Sequence, residues 1–182
     1  SRGSATENKL SAAFLLRQEC IMLLSISTDA INPQTHQFDA RYTCDVDNSS
    51  PEIRWNSSPT GTQCFALIMD DPDAIAGPFF HWVVFSIPPE IRHLPAGIPP
   101  QEVLPNGIRQ GLNSTKRLGY FGPCPPPGDT PHRYRLTLYA LKKPIESQGQ
   151  LTGSQLRAEF KDHVLAQAEV IGLYGRLVRS AS

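Results

Sequence analysis

Apolar residues in this chain come in short runs cut by turn residues. CFALIMD (64–70) is apolar until its acidic end, the pattern of a strand buried on both faces. HWVVFSIP (81–88) is a second such run, stopped by Pro88 and Pro89. RYRLTLYAL (133–141) alternates. Tyr134, Leu136, Leu138 and Ala140 share one face, and Arg133, Arg135, Thr137 and Tyr139 share the other. Shorter extended pieces are predicted at MLLSIS (22–27), ARYT (40–43) and EIRW (52–55), the last with Ile53 and Trp55 on one face. NSSP, at 48–51 and again at 56–59, reads as turns.

One C-terminal helix is predicted near 153–168. Thr152 and Gln155 fit a capping box, and Leu156, Phe160, Val164 and Ala168 recur four apart. EVIGLYGR (169–176) reads as a last short strand. The stretch from Pro99 to Pro131 is rich in proline and glycine and holds no sustained period. Proline fixes φ and resists helix, so GYFGPCPPPGD (119–129) is predicted to be an ordered wall held against something.

Composition narrows the class. At 182 residues one domain is expected, large enough for a real core. The 17 prolines and 13 glycines favour sheet and loop over a helical bundle. Basic and acidic residues number 17 each, which gives no electrostatic case for nucleic acid or an acidic membrane surface. The cysteines, at 20, 44, 64 and 124, form no CxxC. They read as free thiols, and with that as residents of a reducing, cytoplasmic compartment. LSAAFLL (10–16) is too short to span a membrane. Charge follows it where a signal peptide needs small residues. Residues 1–21 are expected to stand outside a fold that runs from 22 to 178, with no stable membrane insertion.

Candidate chemistry gathers at strand ends. Asp71 and Asp73 close one buried run, His81 opens the next, and His132 and Tyr134 open the third, with Gly119–Pro127 nearby. Strand ends beside an ordered loop often carry binding groups. Two histidines, a tyrosine hydroxyl and glycine amides are donors suited to a small anion such as phosphate. Asp71 would orient a histidine or favour its charged form. Asp73 reads equally well as a ligand group and as a holder of loop backbone. Arg133 reads as a structural ion-pairing residue, and Cys124 as lining rather than a nucleophile. His36, His93 and His163 have no partner motif.

DPDA (71–74), HW (81–82), GPCPPPGD (122–129) and PHRYRLTLYAL (131–141) together resemble the phosphatidylethanolamine-binding protein family. The likeness is strongest to its prokaryotic branch, often called Raf kinase inhibitor-like. YTCD (42–45), SPEIRW (50–55) and HVLAQAEVIGLYGR (163–176) fit that branch too. The resemblance implies a mainly β fold: a large antiparallel Greek-key sheet, a smaller second sheet and peripheral helices. It implies a pocket for phosphate-like anions and phospholipid head groups at Asp71, His81, Gly122, Pro125, His132 and Tyr134. Asp73, Trp82, Tyr120 and Cys124 are candidates for its wall. No catalytic residue, metal or cofactor is implied.

The expected function is therefore non-enzymatic binding of a small anionic or phosphorylated ligand, extending in the family to regulation of a protein partner such as a kinase or protease. Two alternatives stand beside it. One is a metal-dependent transferase or phosphohydrolase holding its metal on Asp71 and Asp73, although no P-loop, HExxH or G-x-S-x-G motif is present. The other is a protease inhibitor acting through an exposed loop. The family usually carries proline after DPDA. Ile75 stands there instead, which predicts a trans Ala74–Ile75 bond and a turn carried by Gly77 and Pro78.

Overall fold

The computed structural model describes residues 23–180. The expectations for residues 1–21, Cys20 and Met22 lie outside the described residues. Two antiparallel sheets carry the chain. The small one joins β1 (Ile26–Ser27), β2 (Ile53–Trp55) and β5 (His93–Leu94) in the order β1-β2-β5. The large one holds β3 (Cys64–Asp71), β4 (Phe79–Ile87), β6 (Arg109–Gln110), β7 (His132–Leu141) and β8 (Val164–Tyr174), in the order β6-β4-β3-β7-β8. β7 returns to pair with β3, the first of the β3-β4-β6 run, which is the Greek-key arrangement the resemblance implied.

β3 is buried along its whole length because both faces of the large sheet are covered. Phe65, Leu67 and Met69 pack with Ile53, Trp55 and Leu94 of the small sheet. Cys64, Ala66 and Ile68 pack with Leu156 and Phe160 of the helix α1 (Gly153–Phe160). That two-sided burial is why the sequence shows a continuous apolar run there. The alternation continues into the acids. Asp70 turns to the helix side, where it accepts bonds from Arg135 at 2.9 and 2.7 Å and from Arg157 at 2.9 Å. Asp71 turns to the opposite face. Asp70→Ala is expected to cost about 2 kcal/mol in urea melts. The loss stays below that of a fully buried pair, because both guanidiniums are partly exposed and can rehydrate.

Three expectations need correction. The helix ends at Phe160 rather than near 168, and Val164–Tyr174 is strand, paired along its length with β7. The capping box is present, with Gln155 N–H donating to Thr152 Oγ1 and Thr152 N–H to Gln155 Oε1. A spacing of four, as in Phe160, Val164 and Ala168, satisfies a strand's period of two as well as a helical turn. ARYT is a 3-10 turn over Ala40–Tyr42, because the Asp39 carboxylate accepts the Arg41 N–H at 2.9 Å. The third correction concerns the cysteines. Cys44 and Cys124 form a disulfide across 80 residues of sequence. The Cys44 N–H donates to the Pro123 carbonyl at 3.1 Å, which brings the two thiols together. Cys64 is free and buried, as expected.

The stretch 99–131 is ordered by specific bonds as well as by proline. The buried Gln110 accepts from Trp82 Nε1–H and donates to the carbonyls of Pro99 and Gln101. Buried Asn113 donates to the Gly119 carbonyl at 2.9 Å. Phe121 N–H reaches the His81 carbonyl at 2.9 Å, which lays the wall against β4.

Candidate functional site

β3 ends where β4 and β7 begin, so antiparallel pairing brings the predicted polar residues to one end of the large sheet. Asp71, His81, His132 and Tyr134 are 3%, 4%, 6% and 1% exposed. All four line a cleft of about 340 Å³, and Cys124 and Pro125 line it too. Phe79, Phe121, Pro126 and the turn Ala74–Ala76 also line it. Phe121 and Pro126 lie in the stretch predicted to be a wall and Ala74 in DPDA, but none of these residues was singled out as lining. Phe79 was within reach, since it lies two positions before His81 and so on the same strand face. Phe121 carried no periodic signal.

His81 packs among rings. Phe79 is 4.6 Å away between centroids, Phe121 stacks at 5.9 Å, and Tyr134 meets it edge-on at 5.2 Å. Its Nδ1 lies 2.6 Å from the Phe121 carbonyl. A carbonyl only accepts, so Nδ1 carries the proton. Burial pushes the pKa down to about 4, against the pull of that carbonyl and of Asp71. The ring is therefore neutral near pH 7, and Nε2 is left as an acceptor.

His132 differs. Nδ1 lies 2.7 Å from Asp71 Oδ2, and Nε2 lies 3.2 Å from Asp129 Oδ2. Burial alone would lower its pKa, but the bonds to Asp71 and Asp129 outweigh that and raise it. Tyr134 is held as a neutral hydroxyl, its pKa raised by burial and by Asp71 against a backbone bond from Cys124.

The remaining candidates stand behind the cleft. The Asp73 carboxylate takes the Arg133 backbone N–H at 2.8 Å and its guanidinium at 3.1 and 2.8 Å. Arg133 holds the Asp73 pKa down to about 2. The Asp73 N–H in turn donates to Asp71 Oδ1 at 2.8 Å. Asp73 thus clamps the β3 end to β7 and fixes Asp71 without lining the cleft. Trp82 is fully buried, and Tyr120 packs perpendicular to it at 5.5 Å. The Tyr120 hydroxyl donates to the Tyr42 carbonyl at 2.7 Å. These two rings brace the wall from the core side. Gly122 also lies behind it. A Cβ there would collide with the Tyr42 carbonyl, and its N–H is taken by Asn48 Oδ1 at 2.7 Å. The expectation of a free glycine amide donor at 122 is not met. Ile75 is 90% exposed at the mouth. Every described peptide bond is trans, and Gly77, at φ +96°, donates its N–H to the Ala74 carbonyl.

Among the described residues, no group of three or more His, Cys, Asp or Glu is arranged to hold a metal. A larger hollow of about 730 Å³ lies beside Asp29 and Arg54. Its arginine is already engaged by Asp29 and Glu52.

Residues 28–175 match the phosphatidylethanolamine-binding protein family. A UPF0098 protein of Methanothermobacter thermautotrophicus is 41% identical over 152 residues, covering 80% of this chain and 99% of its own. The crystal structure of Escherichia coli YbcL, described as a member of the mammalian PEBP family, superposes with a TM-score of 0.77 at 30% identity. That likeness covers 84% of this chain and 98% of YbcL. LppC of Mycobacterium tuberculosis, whose name describes a lipoprotein, is 37% identical over 134 residues, covering 74% of this chain and 64% of LppC.

Proposed function

The chain belongs to the phosphatidylethanolamine-binding protein family, and on that premise we propose that its cleft binds, without catalysis, a small phosphate ester of the lipid head-group type. The observation that carries the reading is the convergence of Asp71, His81, His132 and Tyr134 on one small cleft walled by apolar rings. The Tyr134 hydroxyl donates to a phosphate oxygen. His81 Nε2 accepts from an acidic P–OH or an ammonium. The Asp71–His132 ion pair presents no net charge, so an anion is not repelled. The rings of Phe79 and Phe121 exclude water and so strengthen each polar contact.

The metal-dependent alternative finds no support in this geometry. Asp71 and Asp73 spend their oxygens on N–H donors from His132, Arg133 and the backbone. No exposed loop singles itself out for a protease, so the reading stops at the small ligand. Among the described residues no helix is long and apolar enough to cross a membrane. The cytoplasmic expectation rested on free thiols, and the Cys44–Cys124 disulfide supports an oxidising compartment instead.

Calorimetry tests the binding. Phosphoethanolamine is expected to bind with a Kd of ~0.1 to 1 mM at pH 5.5. It should bind better than sulfate, which has no proton or ammonium for His81. Tyr134→Phe should cost about 1 kcal/mol of affinity. Sulfate keeps its charge across this range, and its affinity should fall as pH rises above 6.5 through the raised His132 value, where the imidazolium is lost. No saturable heat with either ligand would remove the reading.

A further inference from the structure

Asp129 does not line the cleft. It sits on an outer groove of about 650 Å³ with Thr130 and Arg133, its side chain 38% exposed, and reaches His132 from behind. Both ring nitrogens of His132 therefore face carboxylates, Asp71 on the cleft side and Asp129 on the outer side. A carboxylate only accepts, and a neutral imidazole has a single N–H. The two bonds coexist only on the doubly protonated ring.

No other neighbour supplies this hold. Asp73 is clamped by Arg133. Tyr134 stacks on the ring at 6.4 Å as a neutral hydroxyl. Tyr174, opposite His132 on β8, gives its hydroxyl to Asp45 at 2.6 Å. His81, across the cleft, is neutral.

We propose that Asp129 is a positioning residue for ligand binding, which by accepting from Nε2 keeps His132 doubly protonated and so sets the pH range over which the cleft admits an anion. This rests on the anion reading of the cleft given above. When His132 is charged, the Asp71–His132 pair is neutral to an incoming anion. When the proton leaves, the remaining N–H stays with Asp71 and the cleft carries an uncompensated carboxylate. Asp129 moves that loss to higher pH.

Asp129→Asn keeps the shape and an acceptor oxygen but removes the charge. Its His132 resonances should titrate at lower pH than in the parent protein. Its sulfate affinity should equal the parent's at pH 5, where both rings are charged, and be weaker at pH 7 by on the order of tenfold. Asp129→Glu, which restores a carboxylate, should recover affinity at pH 7. A merely structural role would lower affinity equally at both pH values. An unshifted His132 titration, or the same affinity ratio at pH 5 and pH 7, overturns the proposal and leaves the anion reading standing. No sulfate binding by the parent protein at pH 5, with His132 still shifted in Asp129→Asn, overturns the anion reading and the proposal's link to ligand with it.

Discussion

Serine at both Cys44 and Cys124 is expected to lower stability by about 4 kcal/mol, from the loop entropy that a cross-link over 80 residues removes from the unfolded chain. The bond ties the segment after the Ala40–Tyr42 turn to the Pro-rich wall. Few other contacts span those two loops. One is the Cys44 N–H on the Pro123 carbonyl, another the Gly122 N–H on Asn48, and a third the Tyr120 hydroxyl on Tyr42. Each is worth only about 1 kcal/mol net, so they cannot replace the cross-link. Urea melts with and without reductant decide the matter. The parent protein should lose stability when reduced, and the double-serine variant should be indifferent to reductant. A parent indifferent to reductant would mean that the disulfide does not form. Cys124 lies on the cleft wall, so the variant should also bind phosphoethanolamine more weakly.

β3 and β4 were legible because burial on both faces writes itself as unbroken apolar runs, and β7 because its apolar and polar residues alternate. All three stand where those patterns stand, and β4 merely starts two residues early, at Phe79. β8 was half hidden. Its first residues share a spacing with the helix before them, and nothing local marks where one period replaces the other. Only the pairing of Leu141 with Val164 does so, and that is a long-range fact. The disulfide was illegible for the same reason: its two cysteines share no motif, and their approach depends on how two distant loops cross.

The four polar residues of the cleft could be named from sequence, but their roles could not. Which nitrogen of His81 is protonated follows from the Phe121 carbonyl, and the sharing of His132 follows from Asp129. Trp82 and Tyr120 stand beside the lining residues in the sequence, yet they pack on each other in the core beneath the cleft. The register of β3 against β4 shifts between the Asp70–Phe80 and Met69–Trp82 pairs, which leaves His81 as an extra residue at the strand end facing the cleft, while Trp82, opposite Met69, stays deeper in the core. Motif membership reports proximity along the chain, and depth along the strand decides which side chains meet a ligand.

Acidification from pH 6.5 to pH 4 is expected to cost the fold about 3 kcal/mol through His81 alone. Its folded value of about 4 lies below the ordinary 6.5 of the unfolded chain. Between those limits the unfolded state binds the proton and the folded state does not, so stability is full above 6.5 and drains as pH falls. His132 acts in a different window with the opposite sign. Its folded value is raised, so its contribution is complete below 6.5 and is lost only as pH climbs through that raised value. Asp73 enters later still, since its folded value near 2 matters only below the ordinary carboxylate range. Glu159, held below its ordinary 4.5 against burial by bonds from Ser147 and Glu146, adds a loss only towards the bottom of the span, so the buried imidazole dominates the slope from 6.5 down to about 5. His81→Gln retains a donor for the Phe121 carbonyl but does not titrate. It should be less stable than the parent at pH 7 from imperfect packing, yet nearly flat between pH 6.5 and 4.5. Urea melts at pH 7, 5.5 and 4.5 give the slopes. Equal slopes in the two proteins would mean that His81 takes up its proton within the folded cleft, and the neutral acceptor assigned to Nε2 would have to be given up.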